Sequence, residues 1–442
     1  MRSHWRIVIL LLLVMTLVGC EKPLLDPARP VSLTFWHVYG SVADSPMNDL
    51  ITRFNQTVGR EKGIIINVTS MFTTTSSHES LVATARARPG AGPAPDMFMA
   101  YPRDVLAIGP ERLLDWRSRI SPDRLGEYVP AFLDEGTLDG RLLILPIAKS
   151  TSALFVNDTI FEEFSRDTGI DYASLATWEG LFKAAAVYYQ WSGGKAFLKH
   201  DDWIHYFLLN TAALGGTFLK DGVIDQNDQH FQKLWNMLAK AAVAGHICLM
   251  DGYATTAMMT GEALCGIESS ASILYYKDCM TFPDNTRKPL RLRILPVPYF
   301  KDTSPLAIQR GSGLAVYAGD ARKELAASIF AEWLTETEVN IPFVVQTGYL
   351  PVKSIAYEQF LEKKQIPANT EREKELYGAV SEIYQKSDFY IPPYFPGYGE
   401  VEKKFRSVLR KIFQKYRKSY KMTQTDDTIA DTMLAEFMAN MD

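Results

Sequence analysis

The 442-residue sequence predicts an α/β fold in two lobes, and three observations carry that expectation. The chain exceeds what one hydrophobic core organises, so two domains of roughly 200 residues each are expected. Strand, helix and strand signals follow one another within residues 31–68, the pattern of a βαβ unit and a parallel sheet. Sheet signals return near 290 and 313 after a long helical block, so strands far apart in sequence must meet.

The elements follow in order. Arg2 and Arg6 precede an apolar run from Ile7 to Val18, broken only by Thr16. As a helix that run spans about 18 Å, too short for a bilayer core of about 30 Å, and it reads as a secretory signal peptide over residues 1–19. Its ending, Leu17 to Cys20 (LVGC), resembles a bacterial lipobox, which implies cleavage before Cys20 and lipidation of its thiol. Residues 20–30 then serve as a lipidated tether at the membrane of the cell envelope. Cys248, Cys265 and Cys279 are an odd remainder with no CxxC spacing, so neither a disulfide framework nor a zinc site is expected.

Val31 to His37 alternates as a strand, and Met47, Leu50, Ile51 and Phe54 line one face of a helix. Gly63 to Val68 reads as a strand buried on both faces. A helix over 78–85 and a strand over Asp96 to Ala100 continue the lobe. A Thr137 to Gly140 turn leads to a strand over Leu142 to Ile147. Helices are expected at 178–189, 203–213 and 230–244, parallel-sheet strands at 290–297 and 313–317, and an amphipathic helix at 323–335. The basic tail from Lys403 to Lys421 alternates with Phe405, Val408, Leu409 and Phe413, a solvated face over a packed one.

Hydrophobic residues make up 47% and charged residues 22%, within the globular range. With 47 basic against 51 acidic side chains, no basic field draws nucleic acid to the chain. The 8 Trp and 21 Tyr suit a binding cleft as well as a core. The sequence holds no HExxH, no phosphate-cradling GxxxxGK[ST] and no GxSxG turn, and nothing in it asks for a metal or a cofactor. His200, Asp201, Asp202 and His205 lack the spacing of a shared metal site and read as a surface polar cluster.

Six segments in order carry a family resemblance: Thr34 to His37 (TFWH), Ala94 to Tyr101 (APDMFMAY), Leu145 to Asn157 (LPIAKSTSALFVN), Gly261 to Ser270 (GEALCGIESS), Arg310 to Val316 (RGSGLAV) and Thr347 to Pro351 (TGYLP). Together they resemble the extracellular solute-binding proteins of ABC importers, in the carbohydrate-binding group. The resemblance implies a two-lobed periplasmic-binding-protein clamp with discontinuous lobes and a hinge of two to three crossovers. The lobes would be 31–142 with 275–335, and 143–274 with 336–442. It also implies a monomer that hands its solute to an ABC permease, with no bond made or broken.

Carried over position by position, the resemblance offers Ser150, Ser270 and Gly311 as ligand contacts and Trp203 and Tyr349 as walls of the pocket. Trp36 and Tyr101 end strands of the first lobe and would face them. The Arg that clamps phosphate in glycerol-phosphate-binding members falls on Gly397 or Tyr398. That departure favours a sugar or oligosaccharide over glycerol 3-phosphate or a glycerophosphodiester, unless Lys149, Arg310 or Arg103 takes the place of the missing guanidinium. Glu268 and Glu400 are the carboxylates expected in such a cleft. The rivals from other classes are a secreted glycoside-active enzyme, with two carboxylates about 5 to 9 Å apart, and an adhesin-like module without a hinge.

Overall fold

A computed structural model describes residues 23–39, 45–71, 73–220, 222–362, 370–419 and 426–441. The expected signal peptide over residues 1–19 and the expected lipidation site Cys20 lie outside the described residues. The first half of the chain runs β1 (Val31–His37), α1 (Pro46–Gln56), β2 (Ile64–Ser70), α2 (Thr74–Ala85), β3 (Met97–Ala100), α3 (Pro102–Ile108), β4 (Ser152–Asn157), α4 (Trp178–Trp191), β5 (Ala196–His200), α5 (Trp203–Ala213) and α6 (Gln229–Val243). The second half runs β6 (Ala263–Ser269), β7 (Leu292–Pro296), β8 (Leu306–Ile308), β9 (Gly313–Val316), α7 (Ala321–Thr335), α8 (Thr337–Thr347), α9 (Glu371–Lys386), β10 (Asp388–Tyr390), α10 (Tyr398–Ser419) and α11 (Asp426–Met441).

Two four-stranded sheets organise these elements, one in the order β9-β3-β1-β2 and one in the order β7-β4-β6-β5. Their local causes are plain in the residues. Alternation in β1 turns Val31, Leu33, Phe35 and His37 inward. Ser45 accepts from the Asn48 N–H and Pro46 opens α1, whose Met47, Ile51 and Phe54 are buried. Phe54 and Phe35 then meet Phe330 of α7, with ring centroids 4.9 and 5.9 Å apart. The second core gathers Trp178, Phe207, Trp235 and Phe413. Tail helix α10 buries Phe405, Leu409, Ile412 and Phe413 on one face and leaves its lysines outside.

Three expectations need correction beyond the burial of Gly63 to Val68 on both faces: β2 is an edge strand, with Ile65 41% and Val68 38% exposed. The strands near 290 and 313 pair antiparallel, β7 with β4 and β9 with β3. The alternating run of β7 and the apolar run of β9 read the same in either direction, so composition does not report their sense. Leu142 to Ile147 is not a strand: pairing stops at Arg141–Leu142, opposite Thr137–Leu138 across a turn with Asp139 at φ 49° and Gly140 at φ 77°. Beyond it only Leu145 bridges the sheet, exchanging hydrogen bonds of 2.9 and 2.8 Å with Leu314, and Pro146 has no N–H to extend the ladder.

The third correction concerns the crossings. Leu292–Pro296, expected with the first lobe, is an edge strand of the second sheet, so the chain returns to the first sheet only between β7 and β9. Three extended segments lie side by side between the sheets. Ser150 and Arg310 exchange hydrogen bonds of 2.8 and 2.7 Å, and Lys149 and Leu350 exchange bonds of 3.1 and 2.7 Å. Helix α8 still packs on α1, so the third crossing follows Thr347 rather than falling near 335.

Candidate functional site

A cleft of about 580 Å³ opens where these crossings meet the ends of the strands. Tyr101 follows β3, Asp201 and Asp202 follow β5, and Arg310 lies just beyond β8, so the lining gathers at carboxyl ends of strands from both sheets. Open α/β sheets bind ligands at that place. Helix α2 closes one side with His78 and Glu79, and the first turns of α10 close the other with Tyr398, Glu402 and Arg406. The β8–β10 pair sets the start of α10 over the cleft. Close approach there needs a small residue: a Cβ at Gly399 would lie 3.3 Å from His78 Nε2.

Charge organises the lining. Arg103 pairs with Glu402, and Arg406 reaches Glu402 at 3.1 Å and Asp202 at 3.6 Å. Lys403 meets Glu79 at 2.8 Å, so α10 is tied by ion pairs to both α2 and α3. Asp104 accepts from the Tyr101 N–H at 2.6 Å and lies 2.6 Å from His78 Nδ1, fixing both side chains that face the opening. Burial works against the charge on Arg103, but Glu402 and Asp104 outweigh it and hold the guanidinium firmly protonated. Burial, reinforced by the charge of Arg310, pushes His205 down to about 3, so its imidazole is neutral at physiological pH.

Four residues of the lining carry buried polar atoms with no hydrogen-bond partner among the described residues: Arg103 Nε, His205 Nδ1, Gln309 Oε1 and the Tyr398 hydroxyl. His205 Nδ1 stands 3.7 Å from Asp202, beyond hydrogen-bond reach. An unsatisfied buried polar atom costs about 1–3 kcal/mol. Four such atoms belong to residues that line this one cleft.

Of the residues expected from sequence, the structure brings Tyr101, Tyr398, Glu400, Arg103 and Arg310 together in this lining. Trp36, Ser150, Trp203, Ser270, Gly311 and Tyr349 fall outside it. Ser270 is fully buried and donates to the Gly348 carbonyl at 2.8 Å. Ser150, also buried, accepts from Ser269 Oγ at 3.2 Å. Trp203 packs on His200 and Tyr206, with centroids 4.8 and 5.5 Å apart. Tyr349 packs edge to face on Tyr39 at 5.2 Å, and Trp36 packs against the cluster around Phe98. Gly311 adopts φ +90°, where a Cβ would press within 2.9 Å of the Ala148 carbonyl, so it admits close passage of the crossings.

Lys149 is spent elsewhere, buried against Glu135 and donating to the Gly311 carbonyl at 3.1 Å. Glu268 is also out of reach: it is fully buried and takes the Tyr276 and Thr255 hydroxyls, and burial pushes it up to about 8. The cluster expected at the surface is the opposite of that, for His200 and Asp202 are buried and Asp201, Asp202 and His205 line the cleft. Their one legible signal was position, directly after an apolar strand.

Two lobes, three crossings and a cleft at the strand ends define a solute-binding clamp of the bacterial extracellular type. Residues 49–374 match the family described as bacterial extracellular solute-binding protein, and the chain belongs to that family. Membership implies work outside the cytoplasm. The fold is similar to that of the cyclic alpha-maltosyl-1,6-maltose binding protein from Arthrobacter globiformis, with TM-score 0.66 and 19% identity over 93% of this chain and 99% of that one. UgpB from Mycobacterium tuberculosis, solved with glycerophosphocholine, matches with TM-score 0.69 and 16% identity over 93% and 98%. Maltose-bound MalE3 of T. maritima matches with TM-score 0.67 and 16% identity over 92% and 98%. No curated protein matches the sequence at a significant level.

Proposed function

We propose that the chain is the solute-capturing lipoprotein of an ABC importer, anchored through Cys20 and binding a sugar or oligosaccharide between its lobes. The observation that carries this reading is the cleft itself, where tyrosines stand beside four buried polar atoms that lack partners. Hydroxyl-rich solutes meet such a surface well, since each hydroxyl both donates and accepts and a ring face covers an aromatic wall. Release to a permease requires no chemistry, only closure and reopening, and a ligand drives closure by preferring the closed state. Sugar-binding proteins among the similar folds support the reading. A phosphorylated polyol is the second reading, supported by the arginines in the lining and by the glycerophosphocholine of one similar fold.

A thermal-shift panel of sugars, oligosaccharides and phosphodiesters on the mature chain tests it, because a bound ligand raises stability by mass action. A saturable rise with at least one sugar is expected. No rise with any member would refute the capture reading.

A further inference from the structure

Among the cations that line the cleft, Arg103, Arg406 and Lys403 all have carboxylate partners. Lys149 stands outside the lining and is committed to Glu135. Arg88 is exposed at the rim. Arg310 is different. It is half-buried, no carboxylate lies within ion-pair distance of it among the described residues, and its one side-chain hydrogen bond goes to Ser152 Oγ at 3.3 Å. A guanidinium has five N–H donors, so most of its capacity is unspent.

Its position is nonetheless fixed. The backbone of Arg310 is clamped to Ser150 in both directions, on the crossing segments that any closure must pivot about. Burial holds the Tyr101, Tyr253 and Tyr349 hydroxyls above their ordinary range and the His200 and His205 imidazoles below theirs; the charge of Arg310 opposes the first shift and adds to the second. The carboxylate whose titration feels it is Asp201, which spends one oxygen on the Ala254 N–H at 2.6 Å and which burial holds above the ordinary carboxylate range. His205 is neutral and adds no second cation.

Closing a cleft on a neutral solute would strip water from this guanidinium and give it no counter-charge, the costliest arrangement for a buried ion. A planar fork of free N–H donors matches the paired oxygens of a carboxylate or a phosphate. We propose that Arg310 anchors an anionic oxygen group on the ligand, so that this cleft selects acidic, hydroxyl-bearing solutes. Gln309 Oε1 and the Tyr398 hydroxyl, both buried and without partners, take hydroxyls of the same ligand. The inference rests on the capture reading above and narrows its ligand. It gives the missing phosphate clamp of the C-terminal region a substitute on the crossing segment after β8.

The test compares wild type, Arg310→Gln and Arg310→Lys of the mature chain, each first shown to melt cooperatively. Inorganic phosphate is titrated at constant ionic strength against chloride. Matched pairs follow: galacturonate with galactose, and glycerol 3-phosphate with glycerol. Phosphate should raise the wild-type melting temperature saturably, with apparent affinity falling at least tenfold in Arg310→Gln and less in Arg310→Lys. The acidic member of a pair should bind and its neutral twin should not, and whichever pair responds identifies the group as carboxylate or phosphate. Phosphate that shifts neither protein, or both equally, would overturn the proposal. So would a neutral sugar bound as tightly as its acidic twin and unaffected by Arg310→Gln, an outcome that leaves the capture reading standing. No response to any of these probes would overturn the proposal and leave the capture reading to the wider thermal-shift panel.

Discussion

Glu402 is the residue on which the closed cleft depends most. It lies on α10 and accepts from Arg103, which α3 supplies from the other side, and it also holds Arg406 at 3.1 Å. The two side chains of the cross-cleft pair are only 17% and 7% exposed. Removing Glu402 leaves the buried Arg103 with only Asp104, 3.9 Å from its Nε, and losing one partner of a buried pair costs about 3–5 kcal/mol. In Glu402→Gln that cost falls on the closed state, because opening the lobes lets water reach Arg103. At about 3 kcal/mol the ratio of closed to open molecules drops roughly 150-fold. With saturating ligand, solution scattering should then show a larger radius of gyration for Glu402→Gln than for wild type. An Arg103→Met/Glu402→Met double variant should recover much of the difference, since no charge is stranded. Equal radii for all three proteins would refute the idea that this pair holds the lobes together.

Other predictions concern separate parts of the molecule. Glu268 has a folded-state pKa near 8 against an ordinary value near 4.5, so the folded chain binds the extra proton between those values and stability falls as pH rises through that window. Glu268→Gln should flatten the melting temperature between pH 5 and 8; an unchanged slope would contradict the assignment. Ser270→Ala should cost about 1 kcal/mol in chemical denaturation, for one buried hydrogen bond to Gly348, while solute affinity stays at the wild-type value. A large loss of affinity would return Ser270 to the binding site. Cys20→Ala should move the protein from the membrane to the soluble fraction on cell fractionation, and retention at the membrane would argue against the lipid anchor.

Much of the fold was legible because periodicity reports local structure. The spacing of Met47, Ile51 and Phe54 predicts α1, and the expected helices at 178–189, 203–213 and 230–244 match α4, α5 and α6 within a few residues. Pairing was not legible. Leu292–Pro296 joins the second sheet through β4, a partner about 140 residues earlier in the chain, and nothing in its own composition reports that. The site was harder still, since α2, the ends of β3 and β5, the segment after β8 and the start of α10 contribute a few side chains each. Hydroxyls after strands were natural candidates, yet Ser150 and Ser270 spend their oxygens on neighbouring protein groups. Arg103 and Arg310 stood in the sequence as possible replacements for a missing arginine; only the structure separates them, by giving Arg103 a carboxylate and Arg310 none.

The central claim is that the two lobes close on a solute held between Tyr101, Arg310 and Tyr398. Small-angle scattering of the mature chain, with and without a saturating ligand from the thermal-shift panel, tests it directly. The radius of gyration should fall with ligand in wild type, and Arg310→Gln should need at least tenfold more ligand for the same contraction. Identical profiles for wild type with and without ligand at saturation would contradict the clamp.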